Sequence, residues 1–176
     1  GFGGRIVEAN KNIAKYVNSE ESRIFEKRKL LYGLYKAKKE INKKGFILIM
    51  EGYIDVVMAH KYNFHNAVAC MGTALTEEQI KTIKRFVNKV YLVMDSDTAG
   101  VRSTLKSYAL LKQFDCNVFV VELSQKDPAD FLSQEGALAF QDRITNAKSG
   151  FTFYFDQLLT ENPIGSIEDV ANVVDK

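Results

Sequence analysis

Acidic side chains follow three of the four predicted strands, at the points where the apolar runs end. Glu51 follows the first strand, Asp95 and Asp97 follow the third, and Asp127 and Asp130 follow the fourth. Because the carboxyl ends of parallel strands lie at one edge of a sheet, we expect these side chains to converge there. Like charges held close together raise each other's pKa unless a cation lies between them. Hard oxygen ligands with no histidine among them favour Mg²⁺ or Mn²⁺.

A set of carboxylates that holds two or more divalent ions is typical of phosphoryl and nucleotidyl transfer. Each member also has a purely structural alternative. Glu51 could simply cap the next helix, Asp97 could cap a helix that begins at Thr98, and Asp127 with Pro128 could form only a turn. The occurrence of all of them at strand ends favours the metal site.

Four short apolar runs have the length and composition of buried strands. They cover residues 46–50, 66–71, 90–94 and 117–121. Strands that alternate with helices predict an α/β domain with a mostly parallel, doubly wound sheet and helices on both faces. Gly52, directly after Glu51, lets the backbone turn sharply and lets a ligand approach closely.

Helices are predicted between and around these strands. Residues 53–59 look helical, and Thr76–Gln79 form a capping box. The helix after that box is expected to bury Ile80, Ile83 and Val87. The following helix is expected to be lined by Val101, Leu105, Tyr108 and Ala109.

The two ends of the chain have their own character. Residues 11–22 are polar and loop-like, with Tyr16 exposed, whereas 23–44 are predicted to be helical from the spacing of Leu30, Leu34, Ala37 and Ile41. Residues 151–159 form an aromatic-rich helix, and another helix is predicted from Ser166 onward. Both ends fall inside predicted elements, so we expect the chain to be part of a longer protein.

The net charge of +2 hides a division of the chain. Residues 1–44 hold 12 Lys and Arg against 5 Asp and Glu, whereas residues 45–176 hold 12 against 17. A basic arm beside an acidic core suits a polyanionic partner and a cation site. We therefore predict a basic N-terminal segment with a connecting helix at 1–44, an α/β domain at 45–149 and a helical appendage at 150–176.

Two cysteines, Cys70 and Cys116, lie in separate apolar stretches without the spacing of metal ligands. We expect them to be buried structural thiols in a reducing compartment, which favours a cytoplasmic protein. No apolar run approaches the roughly 20 residues of a membrane span, so no membrane partner is expected.

Two groups of motifs are similar to known families. Glu51-Gly52-Tyr53 with Asp55, followed by Asp95-x-Asp97, matches the topoisomerase–primase (TOPRIM) pattern of a strand-end glutamate and a DxD. The upstream stretches narrow the resemblance to the RNA-polymerase domain of bacterial DNA primase. They are residues 1–5 (GFGGR), 15–19 (KYVNS), 25–27 (FEK) and 31–34 (LYGL).

This resemblance implies a TOPRIM-type fold and a nucleotidyltransferase that makes short RNA primers on single-stranded DNA during replication. Its implied cofactors are two or more Mg²⁺ or Mn²⁺ ions, and its implied partners are template DNA, ribonucleoside triphosphates and, through another domain, the replicative helicase. Residues 1–44 would then be the remnant of a basic polymerase subdomain, and 150–176 the start of a helical subdomain. We expect the chain alone to be weakly active or inactive.

The resemblance also implies roles for individual residues. Glu51, Asp95 and Asp97 would bind the catalytic ions, with Asp55 and Asp127 nearby in the acidic cluster. Many primases carry Asp-Pro-Asp at the last motif, but this chain has Ala129 after Pro128. Because alanine cannot bind a metal, Asp130, one residue further on, is the candidate replacement ligand.

The resemblance assigns Arg5, Lys15, Tyr16 and Lys27 to the basic surface that meets template DNA and nucleotides. Elementary chemistry agrees, because cations neutralise phosphates and a tyrosine ring offers a flat face for an unpaired base. The lysines at 36, 38 and 39 are instead interpreted as a solvated helix face.

Two other functions remain open from the sequence. Asp95-Ser96-Asp97-Thr98 fits the DxDxT motif of haloacid-dehalogenase-like phosphatases, whose first aspartate is a nucleophile, although two predicted strands precede it here. A TOPRIM module of a topoisomerase, nuclease or recombination mediator is the second alternative. The motifs within residues 1–34 favour primase over both.

Overall fold

The protein is represented by a computed structural model that describes residues 2–5, 16–70 and 74–161, without the side chains of Arg5, Tyr16, Val17 and Glu161. Its elements, in chain order, are β1 (Gly3–Arg5), β2 (Tyr16–Asn18), α1 (Leu34–Lys44), β3 (Ile47–Met50), α2 (Tyr53–Lys61), β4 (Ala67–Ala69), α3 (Glu77–Ile83), β5 (Lys89–Leu92), α4 (Thr98–Gln113), β6 (Asn117–Val120), α5 (Pro128–Thr145), β7 (Lys148–Ser149) and α6 (Gly150–Glu161).

The strands form two sheets. β1 and β2 pair antiparallel, and a five-stranded sheet has the order β4-β3-β5-β6-β7. Its first four strands are parallel, and β7 is antiparallel to β6. The predicted α/β class with a mostly parallel sheet is therefore confirmed. All four predicted strands are present: β3, β4 and β6 lie within their predicted ranges, whereas β5 begins one residue earlier and ends two residues earlier than predicted.

Side chains of β3 alternate between two apolar layers, as the two-residue period of a strand requires. Ile47 and Ile49 pack on the face that also holds residues of α1, α3 and α4. Leu48 and Met50 pack on the opposite face with residues of α2 and α5. All four β3 residues are fully buried, so the sheet is covered on both faces and β3 is held rigidly.

The predicted helix over residues 23–44 is wrong in its first half, because α1 begins only at Leu34. Gly33 takes a left-handed conformation with φ of 82° at the helix start. Just before it, the backbone N–H of Tyr32 donates to Ala69 O (2.9 Å) and Ala69 N–H donates to Tyr32 O (3.1 Å). Tyr32 thus continues the sheet beside β4, which excludes a helix there.

Several other boundaries differ from the prediction. Residues 16–18 form β2 rather than a loop, because β1 pairs with them. The buried side of α4 holds Thr104, Ser107, Tyr108 and Leu111, whereas Ala109 is exposed. Helix α5 and strand β7 have no counterpart among the predicted elements.

The predictions for α3 and α6 are confirmed. Thr76 caps α3 by accepting the backbone N–H of Gln79 at 3.2 Å, and the Gln79 side chain accepts the N–H of Thr76 at 3.1 Å. Ile80 and Ile83 are fully buried, although Val87 lies past the helix end. The helix expected from Ser166 onward lies outside the described residues.

Within the part of the chain that the structure describes, no helix is long and apolar enough to cross a membrane. Cys70 and Cys116 are both buried and unbridged, as the sequence predicted.

We predict that Gly100→Ala lowers the free energy of unfolding by about 1–3 kcal/mol, the usual effect of overpacking. A β-carbon at Gly100 would lie 2.1 Å from the backbone oxygen of Asp95, so α4 and the loop after β5 would have to separate. Alanine normally stabilises a helix relative to glycine. A lower free energy of unfolding for Gly100→Ala would therefore indicate the steric clash with Asp95.

Urea unfolding monitored by circular dichroism measures this change. Gly4→Ala is the matched control, because a β-carbon at Gly4 meets no atom within 4 Å. Equal stability of the Gly100 variant and the wild type would contradict the close approach of α4 to Asp95.

Candidate active site at the carboxyl edge of the sheet

The chain order of the strands reverses between β3 and β5. From β3 the chain moves outward to β4 and then returns to β5 on the other side of β3. In open α/β sheets, the crevice outside the strand carboxyl ends at such a reversal is the usual ligand site. Glu51 directly follows β3, and Asp95 follows β5 by three residues. The pairing of Ile49 with Leu92 sets these two strand ends side by side.

Glu51 is a half-buried carboxylate with one unsatisfied oxygen. Its Oε1 is buried and has no hydrogen-bond partner among the described residues. Burial raises the pKa of Glu51 above its ordinary value, and the charges of Asp95 and Asp97 raise it further, while a backbone hydrogen bond from Asp95 opposes them. A buried acceptor without a partner is costly, and a cation would satisfy it.

Asp55 joins the start of α2 to the start of α5. It is only 7% exposed and accepts the backbone N–H groups of Gly52 (3.1 Å) and Ala129 (3.2 Å). Burial, followed by the charges of Asp95 and Asp127, raises the pKa of Asp55 to about 7, against the effect of those two hydrogen bonds. Asp55 is thus electrostatically coupled to Asp95 and Asp127, and its role near the metal ions, which the resemblance implied, stays a prediction.

Asp97 and Asp127 both cap helices. Asp97 Oδ1 accepts the backbone N–H groups of Ala99 (3.0 Å) and Gly100 (2.9 Å) at the start of α4. Asp127 Oδ1 accepts the N–H of Asp130 (2.8 Å) at the start of α5. The predicted capping role of Asp97 is therefore confirmed, whereas Asp127 and Pro128 begin a helix rather than forming only a turn. These capping bonds do not exclude metal binding, because a carboxylate has lone pairs for about four partners.

Asp130 differs from the other candidates. Its side chain is exposed, and its charge is not among those that raise the pKa of Glu51 or Asp55. Ala129, the residue before it, donates its backbone N–H to Asp55 and has no side-chain oxygen to offer a metal. The role of Asp130 as a replacement ligand stays a prediction.

Ser96 fastens the loop between Asp95 and Asp97, a contribution that the sequence prediction missed. Its N–H donates to Lys126 O at 2.9 Å, and its hydroxyl donates to Gln125 O at 3.0 Å. These bonds bring the segment before Asp127 against the segment that carries Asp95. The sequence offered one indication of this role, because Ser96 is a small residue with a hydroxyl group between two aspartates.

The small sheet lies beside the start of α2. The hydroxyl of Tyr53 donates to the side-chain oxygen of Asn18, and a β-carbon on Gly3 would lie 2.8 Å from the Tyr53 ring. Tyr53 follows Glu51 by two residues, so the basic N-terminal segment is anchored next to the acidic edge.

The structure describes the basic-surface candidates unequally. Lys15 lies outside the described residues, as do the side chains of Arg5 and Tyr16, whose backbones pair between β1 and β2. Lys27 is half-buried and well anchored, because its N–H donates to the Glu21 carboxylate at 3.2 Å and its carbonyl accepts from Gln79 Nε2 at 3.3 Å.

The donor set at the acidic edge fits a hard divalent cation. It consists of carboxylate oxygens, one of them buried without a partner, and the like charges raise the pKa of Glu51 and Asp55. Among the residues described, no three His, Cys, Asp or Glu side chains come close enough to enclose an ion as they stand. Closing around an ion therefore requires rotation of these side chains.

We predict that the free energy of unfolding of the metal-free protein falls as pH rises from about 4 to about 7. The pKa of Asp55 is higher in the folded state than its ordinary value of 3.8, so the folded state binds more protons across this window. The loss is on the order of 2–4 kcal/mol, at about 1.4 kcal/mol per pKa unit. Glu51 adds a change of the same sign.

Urea unfolding at pH 4.5, 6 and 8 in the presence of a chelator tests this dependence. Asp55→Asn should reduce the dependence of the free energy of unfolding on pH, because it removes the carboxyl group whose pKa is raised to about 7. Asp142→Asn, an exposed carboxylate on α5, is the charge control. Identical slopes for wild type and Asp55→Asn would show that Asp55 does not carry the effect.

Comparison with known proteins agrees with this geometry. Residues 48–132 match a family described as Toprim-like, and residues 1–38 match the N-terminal domain of the DNA primase catalytic core. DNA primase of Clostridium acetobutylicum is 35% identical over 184 aligned positions, which cover 100% of this chain and 30% of that protein. The chain spans less than a third of the length of the curated relatives it matches.

Solved structures give the same result. A DNA primase domain from Pseudomonas aeruginosa superposes with a TM-score of 0.87 at 33% identity, covering 97% of this chain and 54% of that one. The catalytic domain of a DnaG primase bound to single-stranded DNA superposes with a TM-score of 0.84 at 31% identity, covering 98% and 55%. The sheet with its acidic edge, the N-terminal motifs and these relatives agree, and the chain belongs to the bacterial DNA primase family, as part of its catalytic core.

Proposed function

We propose that this chain is the part of a primase catalytic core that holds the catalytic metal ions for primer synthesis. The reaction is template-directed joining of ribonucleotides into short RNA primers on single-stranded DNA during replication. The observation that carries the proposal is the acidic edge at the β3–β5 reversal, where Glu51 has a buried, unpartnered oxygen beside Asp95. The single-stranded DNA bound by a solved DnaG relative supports the template assignment.

In this proposal Glu51, Asp95 and Asp97 hold the ions, with Asp55, Asp127 and Asp130 around them. Bound Mg²⁺ or Mn²⁺ would supply charge stabilisation for the triphosphate and for the attacking and leaving oxygens.

The chain's own residues set the geometry of this site. The backbone N–H of Asp95 orients the Glu51 carboxylate, and the capping bonds of Asp97 fix its position against α4. Asp55 keeps the start of α5 at the edge through its bond from Ala129. Backbone groups thus orient Glu51, Asp55 and Asp97, and enclosing an ion would take a further rotation of the carboxylates.

The remaining assignments follow from the same proposal. Arg5, Lys15, Tyr16 and Lys27 contact template and nucleotides, on a segment anchored beside the acidic edge by Tyr53. The divisions at 44 and 149 separate the polymerase remnant, the TOPRIM domain and the helical subdomain. The protein acts in the bacterial cytoplasm at the replication fork, and its helicase contact is made by a domain outside this chain.

The phosphatase alternative is less well supported. The DxDxT motif follows β5, which is the third strand of the large sheet along the chain, whereas in those phosphatases it normally follows the first strand. The other TOPRIM functions do not account for the match of residues 1–38 to the primase N-terminal domain.

Adding millimolar Mn²⁺ should raise the melting temperature of the wild type. An ion present at a hundred times its Kd stabilises by about 2.7 kcal/mol, which corresponds to about 5–10 °C in a domain of this size. Asp95→Asn should reduce the shift, because it removes a ligand, and should leave the metal-free protein equally or slightly more stable, because it removes repulsion.

Differential scanning calorimetry with and without Mn²⁺ measures both effects. Asp142→Asn should behave as the wild type, because it lies on the exposed surface of α5. If Mn²⁺ shifts wild type and Asp95→Asn equally, the ions do not bind at the acidic edge.

Primer synthesis should depend on Glu51 and Asp95 in a polypeptide that spans the whole catalytic domain. Glu51→Gln and Asp95→Asn should each lower the rate by about a hundredfold or more, and the double variant should be little worse, because the ligands act as one unit. The chain alone should make primers poorly, because it spans only about half of the solved primase domains and the rest is expected to supply part of the surfaces that position template and first nucleotide.

A template-dependent assay with radiolabelled ribonucleotides measures these rates, with Asp142→Asn as the control. Undiminished synthesis by Glu51→Gln would overturn the role of the strand-end glutamate. Robust synthesis by this chain alone would show that the other positioning surfaces are dispensable.

A further inference from the structure

Helix α1 carries five lysines and one glutamate in eleven residues. Its buried face is formed by Ala37 and Ile41, which are completely inaccessible. At 100° per residue, Tyr35, Lys36, Lys39 and Lys43 lie on the opposite side of the helix, and all four are exposed. We call these four residues the α1 track.

The lysines that flank this stripe have partners within the domain. Lys38 lies over the rings of Tyr35 (6.0 Å) and Phe86 (5.8 Å), and Lys44 donates to Asn66 at 3.3 Å. On the track, only Lys43 has an ion pair in the described part of the chain, with Glu40 at 3.8 Å. Lys36 and Lys39 form no ion pair with any described residue.

Helix stability does not account for these lysines. Lysines spaced three and four residues apart, as 36, 39 and 43 are, repel one another. Lys36 also lies in the first turn, which contains no acidic residue and where the helix dipole disfavours a cation. A bound polyanion would remove both unfavourable terms.

An aromatic ring and a groove accompany the positive charge. Tyr35 is 88% exposed, so its ring is accessible to an unpaired base. Beside it, a groove of about 480 Å³ between the start of α1 and α2 is lined in part by Tyr32, Tyr35, Lys36, Val57 and His60. Exposed aromatic rings next to cations bind unpaired bases by stacking while the cations bind the phosphates.

We propose that the α1 track is a second surface for single-stranded DNA, in addition to the surface proposed for Arg5, Lys15, Tyr16 and Lys27. This inference rests on the proposed function, because the bound single-stranded DNA would be the template. The rise from Lys36 to Lys43 is about 10 Å, the length of about three stacked nucleotides. The surface begins near the bridge of Tyr32 to Ala69, at the carboxyl end of β4, and runs toward the start of β3.

Fluorescence anisotropy with labelled (dT)20 between 25 and 200 mM NaCl tests the track. The triple variant Lys36→Gln, Lys39→Gln, Lys43→Gln should flatten the slope of log K against log salt by about 2, at about 0.7 per phosphate contact. The matched control is Arg102→Gln, Lys106→Gln, Lys112→Gln, which removes three exposed cations from α4. Its slope should stay as in the wild type.

The stacking role has its own variants. Tyr35→Ala should weaken binding at every salt concentration by between about five-fold and a hundred-fold, the range of base–aromatic stacking. Tyr35→Phe should bind as the wild type, because the ring is kept. A (dT)20 annealed to (dA)20 should bind more weakly, since its bases are already paired.

The proposal would be overturned if the slope of log K against log salt were equal for the track variant and the wild type. It would also be overturned if both triple variants flattened that slope equally, or if the duplex bound as tightly as (dT)20. Misfolding is distinguishable, because the track variant should melt at or above the wild-type temperature. Mn²⁺ separates this inference from the proposed function. If the triple lysine variant shows the wild-type rise in melting temperature with Mn²⁺ and also binds DNA as the wild type does, the metal site is supported and the DNA-binding role of the α1 track is wrong.

Discussion

Repulsion among buried carboxylates at the carboxyl edge is the constraint on which the rest of this structure depends. Glu51 and Asp55 are pushed toward their protonated forms by burial and by the charges of Asp95, Asp97 and Asp127. Backbone N–H groups from three different loops counter that repulsion. The apolar layers on both faces of the sheet must hold those loops still, because a site that relaxed would separate the charges and lose its affinity for a cation.

The attachment of the N-terminal segment follows from this constraint. Positive charge near the edge lowers the free-energy cost of ionising the clustered carboxylates and attracts phosphates. It must not occupy the cation site itself. Tyr53 joins α2 to the small sheet through Asn18, and Tyr32 joins the same segment to β4. The N-terminal segment is thereby attached near the edge by neutral contacts, and no described ion pair involves Glu51, Asp55 or Asp97.

The sequence predicted what depends on local pattern. Apolar runs gave the strands, the Thr76 box gave α3, and strand ends gave the acidic edge. It failed where tertiary pairing overrides local pattern: Tyr32 bonds to Ala69, which ends the helix that leucine spacing favoured. The interior of α5 carries Gly136 with φ of 80°, which explains why its pattern did not indicate a helix. Hydrogen bonds such as the one from Ser96 to Lys126 join segments that are distant in sequence. No repeating pattern of residues marks such a bond, so it could not be predicted from the sequence.

Ala129 shows how one substitution at such a site changes its chemistry. An aspartate there would add another negative charge beside Asp55 and make its ionisation still more costly. The backbone N–H of Ala129 contacts Asp55, and the pKa of about 7 leaves Asp55 partly protonated near neutrality. A divalent ion favours the ionised carboxylate, so binding must displace that proton. Cation binding and the deprotonation of Asp55 are therefore coupled, and the acidic edge holds its full charge only when a cation is present to balance it.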